Sequence, residues 1–358
     1  MSELQISLLG IGIVVVLMIF IYNWWQQRHY RRKFGAVFRH RHEDALYRSS
    51  VETPTEELQV EQVEHAEPAC ILPNESQNWF TVDALCALLD EETDYIAVIS
   101  PKNPVTADAL TLLWEQRFDF GKNVHVCGLN AASGEWEKVI ADSPLAYKSF
   151  KLALQLVNRS GAVVEAKLKD FCELGRMIAA HLHAGVVIPD VAKTAARALE
   201  LDNFCASVDQ MIGLNILPSD ENILSGKDVA RVAKHHDLSL QADGAFHLID
   251  THGHTLFSLC NEDNTPFQHH TLDKSRVAGL TLLLDVPLVE QPLLGFDQMV
   301  VLARQLAREF SATMVDAHHV PLSEGGISLI RERIAAVEAE MRSSHIVAGS
   351  AQARRLFS

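Results

Sequence analysis

The chain has 358 residues, 48% of them hydrophobic and 22% charged, with a formal net charge of −15. That length exceeds one ordinary domain of about 100–200 residues, and the composition argues against wholesale disorder. The acidic balance argues against nucleic acid as a partner, because phosphate contacts need clustered Lys and Arg.

The first element is a charge-free run, ISLLGIGIVVVLMIFIY, from Ile6 to Tyr22. A helix rises about 1.5 Å per residue, so this run with its flanks can cross a hydrocarbon core of about 30 Å. Trp24 and Trp25 follow, then Arg28, Arg31, Arg32, Lys33, Arg39 and Arg41, while only Glu3 precedes the run. Basic residues stay on the cytoplasmic side. The expectation is a periplasmic N-terminus (1–5), a single transmembrane helix (6–25) and a basic juxtamembrane segment (26–50) in the cytoplasm. A cleaved signal peptide would carry its charge before the apolar stretch and small residues after it. Here the exit reads Trp-Trp-Gln-Gln-Arg.

Residues 51–77 hold Glu52, Glu56, Glu57, Glu61, Glu64 and Glu67 with Pro54, Pro68 and Pro73. Such a stretch buries too little to offset its ordering entropy and reads as an acidic tether. Beyond it the pattern becomes globular. A helix around Val82–Leu89 leads to a strand at Tyr95–Ser100, a helix at Thr106–Arg117 and a strand at Val124–Leu129. A hairpin partner near Trp136–Ile140, a strand at Phe150–Val157, a long helix from Val164 to His183, a strand at Gly185–Ile188 and a helix from Asp190 follow.

From Val208 the order of elements recurs. Met211–Leu217 reads as a strand, Ser225–His236 as a helix, and Gly244–Asp250 with Thr255–Asn261 as a hairpin. Ala278–Val286 is a strand, Gly295–Phe310 a helix, Ala312–Asp316 a strand and Gly325–Met341 a final helix. The predicted class is α+β: two tandem split β-α-β modules, 78–206 and 207–345, each an antiparallel sheet with helices on one face. A flexible tail (346–358) ends the chain. The repeated order suggests an internal duplication.

Periodicity supports these assignments. Met299, Leu302, Leu306 and Phe310 recur at helical spacing, giving one apolar stripe. Leu280, Leu282, Leu284 and Val286 alternate onto one strand face. The opposite face carries Thr281, Leu283 and Asp285, so the sheet has a side covered by helices and a side left open for a partner.

Chemistry-bearing motifs are sparse. Six cysteines stand singly without a CxxC pair, which reads as small buried thiols in a reducing compartment. Among seventeen histidines, the pairs His235-His236, His269-His270 and His318-His319 lack a chelating spacing. No nucleophile elbow, Walker loop or dinucleotide fingerprint occurs. The expectation is a protein-binding chain, not an enzyme, with no cofactor and no metal.

Two segments carry a resemblance. TLFSLCN (Thr255–Asn261) and AGLTLLLDVP (Ala278–Pro287), followed by the helix, strand and helix in the same order, resemble the C-terminal domain of the ZipA family of bacterial cell division proteins. The anchor-and-domain plan resembles that family too. The resemblance implies a split β-α-β domain whose exposed sheet face binds the C-terminal tail of FtsZ, the tubulin-like division GTPase. It further implies an adaptor tethering the division ring to the inner membrane. Carried over by position, the peptide-binding residues are Met211, Gly213, Asn215, Gly244, Phe246, Cys260, Glu262 and Leu283, with His319 a candidate at the groove's edge. Leu283 stands where the family has Phe, and Glu262 where it often has Met. Gly213 and Gly244 replace larger apolar residues, so this face is less apolar. The upstream module, a diverged copy, has no counterpart in that family. The alternative expectation is a membrane-tethered scaffold whose paired modules organise other envelope or division proteins, with self-association as a further expected contact.

Overall fold

The computed structural model of the protein describes residues 84–87, 89–219, 223–316 and 319–358. The expected transmembrane helix (6–25), juxtamembrane segment (26–50) and acidic tether (51–77) lie outside them. Among the described residues no helix is long and apolar enough to cross a membrane. The chain divides into two compact units, and both are α+β with antiparallel sheets.

The upstream unit runs to Asp209. It holds α1 (Ala84–Ala87), β1 (Asp94–Ser100), a 3-10 turn (Ala107–Leu110) leading into α2 (Thr111–Gln116), β2 (Val124–Asn130), β3 (Trp136–Lys138) and β4 (Tyr147–Gln155). A small hairpin, β5 (Val157–Asn158) and β6 (Gly161–Ala162), precedes α3 (Glu165–His181), β7 (Gly185–Val187) and α4 (Val191–Val208). The sheet order is β3-β2-β4-β1-β7, antiparallel throughout.

Alternation builds the core of this unit. Tyr95, Ala97 and Ile99 point to one face of β1 and are fully buried. Leu168, Phe171, Leu174 and Ile178 recur at helical spacing along α3 and are buried as well. Phe171 meets Phe120 edge-on at 5.2 Å and Tyr95 at 6.1 Å. Gly128 is required by close approach, because a Cβ there would run into the ring of buried Tyr147. Asp190 caps α4 by accepting a bond from the Lys193 amide at 2.9 Å. Near the β5–β6 hairpin, Arg159 donates to Asp209 at 2.6 Å and to Asp285 at 2.7 Å. Burial pushes the Asp285 carboxyl up, and Arg159 pulls it back.

The downstream unit comprises Gln210–Leu284 and Leu294–Arg333. Its elements begin with β8 (Met211–Pro218), β9 (Leu224–Ser225), α5 (Gly226–His235), β10 (Ser239–Leu240), β11 (Phe246–Ile249) and β12 (Thr255–Asn261). They continue through β13 (Arg276–Val277), β14 (Leu280–Asp285), α6 (Pro292–Glu309), β15 (Ala312–Val315) and α7 (Glu324–Ser343). The main sheet is ordered β10-β11-β12-β14-β8-β15, and β9 pairs with β13 separately. Leu214, Ile216, Phe257, Leu259, Leu280, Leu282 and Leu284 are buried with Phe296, Met299 and Leu306 of α6. Met299, Leu302 and Leu306 of the stripe expected on that helix are buried in the core, while Phe310 lies just past its end and is half-buried.

Three expectations need correction. First, the boundaries 78–206 and 207–345 do not describe the packing, because residues 285–293 and 334–358 belong with the upstream unit. The tail expected to be flexible instead forms α8 (Ala351–Leu356), capped by Ser350, with Leu356 and Phe357 buried. Arg355 there pairs with the fully buried Asp94, and Gln155 donates to the Arg355 carbonyl at 2.7 Å. A segment this short shows no periodicity in sequence, so its anchoring is invisible until its partner is known.

Second, Cys86 and Cys127 form a disulfide across a separation of 41 residues. Their spacing carries no signal, and the reading of all cysteines as thiols fails for these two. Third, in the upstream unit the two short helices α1 and α8 reach the face opposite α3, so helices are not confined to one face. Cys127 and Asp94, which they contact, share that face by register through Lys151, Val98 and Gln155.

The inner strands follow one order in both units, β2-β4-β1-β7 and β12-β14-β8-β15, the split β-α-β arrangement. They differ at one edge. The extra strand β3 follows β2 in the chain, whereas β11 precedes β12.

Candidate functional site

The face of the downstream sheet opposite its core follows from strand alternation. On β14, Leu280, Leu282 and Leu284 are buried, and Thr281 and Leu283 between them are half-buried. On β12, Phe257 and Leu259 point into the core, and Leu256, Ser258 and Cys260 point the other way. The register places Ser258 opposite Leu283 and Cys260 opposite Thr281. On β8, Leu214 and Ile216 are core residues, so Met211, Gly213 and Asn215 occupy the open side.

Asn215 knits the middle of this face. Its side-chain oxygen accepts from the Thr281 hydroxyl at 2.8 Å, and its amide nitrogen donates to the Asp316 carbonyl at 3.1 Å. Both polar ends of a residue only 9% exposed are therefore satisfied within the sheet. Cys260 lies beside Ser258 at 3.8 Å, and burial pushes its thiol up, so it stays protonated at neutral pH. It contributes a small apolar surface, not a nucleophile.

Five of the eight residues assigned from the sequence thus share one face: Met211, Gly213, Asn215, Cys260 and Leu283. Glu262 lies just past the end of β12, where its amide donates to the Gly279 carbonyl at 3.0 Å. Its carboxylate is 3.4 Å from Nε2 of His319.

Gly244 and Phe246 do not join them. Phe246 stands opposite Leu259 in the ladder, hence on the core side, and packs against Phe267 at 5.2 Å. Gly244 has φ +83°, lies against Pro266, and accepts a bond from the Phe267 amide at 2.8 Å. A side chain at Gly244 would collide with that proline. The physical reason is parity, since one residue of offset on a strand exchanges the two faces. The β11 residue on the open side is His247, opposite Ser258 and held by Thr255 and Asp243 at 2.9 Å each.

Thr281 and Ser258 belong to the face as well. Alternation from Leu283 and Cys260 finds them in the sequence, although neither has a family position to mark it. A cavity of about 270 Å³ opens beside Phe267, away from this face. Among the described residues no cluster of His, Cys, Asp and Glu could hold a metal ion. The open face offers half-buried apolar side chains with hydroxyls between them, suited to receiving apolar side chains of another chain.

Residues 210–333 match the family described as ZipA, C-terminal FtsZ-binding domain. The match ends where the downstream unit ends, and that unit accounts for most of it. No curated protein matches the chain.

Proposed function

We propose that this chain, ZipA-like through residues 210–333, is an adaptor that binds the C-terminal tail of FtsZ on the open face of its downstream sheet. The observation that carries the reading is the coincidence of that family match with a compact unit whose sheet face around Leu283 is lined by half-buried, largely apolar side chains. Met211, Leu283 and Cys260 supply the apolar floor, and Gly213 leaves room for a side chain of the peptide. At the rim the Glu262 carboxylate stands 3.4 Å from the His319 ring. Binding energy comes from a few apolar anchors, and no reaction is catalysed.

The charge-free run at 6–22 and the arginines after it support an inner-membrane anchor with both units in the cytoplasm. Tail binding at one end and the anchor at the other tether the division ring to the membrane.

The test is titration of the purified full chain with the C-terminal peptide of the same organism's FtsZ, alongside Leu283→Glu. Saturable binding that the substitution abolishes, with the fold intact by circular dichroism, supports the site. Equal binding by both proteins would remove the open face from the mechanism, and no binding by either would sink the adaptor reading.

A further inference from the structure

The upstream sheet also has a face turned away from its long helices, and its chemistry differs. Ladder register aligns one row across all five strands: Lys138, Cys127, Lys151, Val98 and Val187. Directly opposed residues share a face, so these side chains leave the sheet on the same side. Cys127 is covered through its bond to Cys86. From Lys151 outward the row is open, and Val187 on the edge strand β7 is 70% exposed.

The neighbouring row holds Trp136, Leu129 and Ser149, with the Ser149 hydroxyl 3.0 Å from that of Ser100. Farther along, Arg355 and Asp94 close the face. The open part is therefore a strip of half-buried apolar residues and hydroxyls ending at an exposed strand edge.

Charge singles this strip out. The chain carries −15 overall, yet Lys138 and Lys151 on the strip make no ion pair among the described residues. Lys148 at the start of β4 and Lys102 just past the end of β1 make none either. Antiparallel pairing of β1 with β4 brings those two lysines to the same end of the sheet. The Lys151 ammonium instead lies 4.6 Å from the centre of the Trp136 ring. That contact orients a cation while leaving it able to meet a carboxylate.

We propose that this strip is a second docking surface, for an extended acidic peptide segment of a partner protein. Carboxylates of the segment meet Lys151 and Lys138, and an apolar side chain rests on Val98 and Val187. The unpaired edge of β7 offers main-chain groups to the same segment, as exposed strand edges do. The occupant is chosen by charge complementarity. Two lysines beside valines and a tryptophan suit a mixed acidic and apolar segment.

The experiment uses the full chain and a fluorescein-labelled synthetic peptide of alternating Glu and Leu, followed by anisotropy at low and high salt. Saturable, salt-weakened binding is expected. It should fall roughly tenfold in Lys138→Glu/Lys151→Glu and fall again with Val187→Asp. Leu283→Glu should leave it unchanged, which separates this surface from the downstream face. Binding unaffected by the lysine reversals would overturn the proposal. So would flotation with phosphatidylglycerol vesicles that depends on these lysines while the peptide fails to bind, since the surface would then face lipid.

Discussion

The two units present the same kind of surface, the side of a split β-α-β sheet turned away from its long helices, with different polarity. Around Leu283 the downstream face is largely apolar, and its central polar pair, Asn215 and Thr281, is satisfied internally. Around Lys151 the upstream face is basic, and part of it is already occupied by α1 and by the chain's own C-terminus. One backbone arrangement thus supports two recognition chemistries, because side chains at alternate positions contribute little to the core and are free to differ. The upstream unit also depends on residues far downstream in sequence, whereas the downstream unit is built from residues 210–284 and 294–333.

The largest effect should come from breaking that dependence. Arg355→Ala leaves the fully buried Asp94 without its cation and should cost the upstream unit about 3–5 kcal/mol, read as an early urea transition. If the unit kept its stability, α8 would be an ornament and not part of its core. Phe246→Ala, also about 3–5 kcal/mol, should destabilise the downstream unit as a core truncation. Reduced tail affinity with unchanged unfolding would instead return Phe246 to the binding face.

Leu283→Glu comes next. It should leave both unfolding transitions in place and weaken FtsZ-tail binding by about tenfold or more, or about 1.4 kcal/mol.

A smaller effect is set by pH. His125, half-buried on the basic face, is held below its usual value of 6.5 by desolvation and by the Arg355 guanidinium. Its folded pKa is depressed, so the unfolded chain binds the proton first as pH falls. Upstream stability should therefore be full above about pH 6.5 and decline below it, by about 1 kcal/mol for each pH unit until the folded group titrates. His125→Gln should flatten that slope, while the downstream transition should not respond to the substitution.

The last test changes only two hydrogens. Disulfides persist in oxidising compartments, so alkylation of whole cells reports on topology. If the units are cytoplasmic, the Cys86–Cys127 bond of the structure should be found reduced in the cell and both thiols should alkylate. A bond that survives in the cell would place them on the other side of the membrane, away from FtsZ.

Much of the fold was legible in the sequence. Alternation located the strands to within a few residues, and Thr255–Asn261 was bounded as it stands. The stripe through Met299 and Leu306 identified α6, because a helix must present one face to its core. The same alternation assigned Leu283, Thr281 and Asn215 to the open side. It misled at Phe246, where family position replaced register, and a single residue of offset exchanged core for surface.

Composition, periodicity and two short resemblances are local properties, and they determined the class, the order of elements and the face of β14 that is open. What tertiary structure alone decided was every choice between distant segments. These are the bond between Cys86 and Cys127, the return of residues 334–358 to the upstream unit, and the ladder that sets Lys151 between Val98 and Cys127. Such contacts follow from which surfaces meet, and no window of sequence contains both partners.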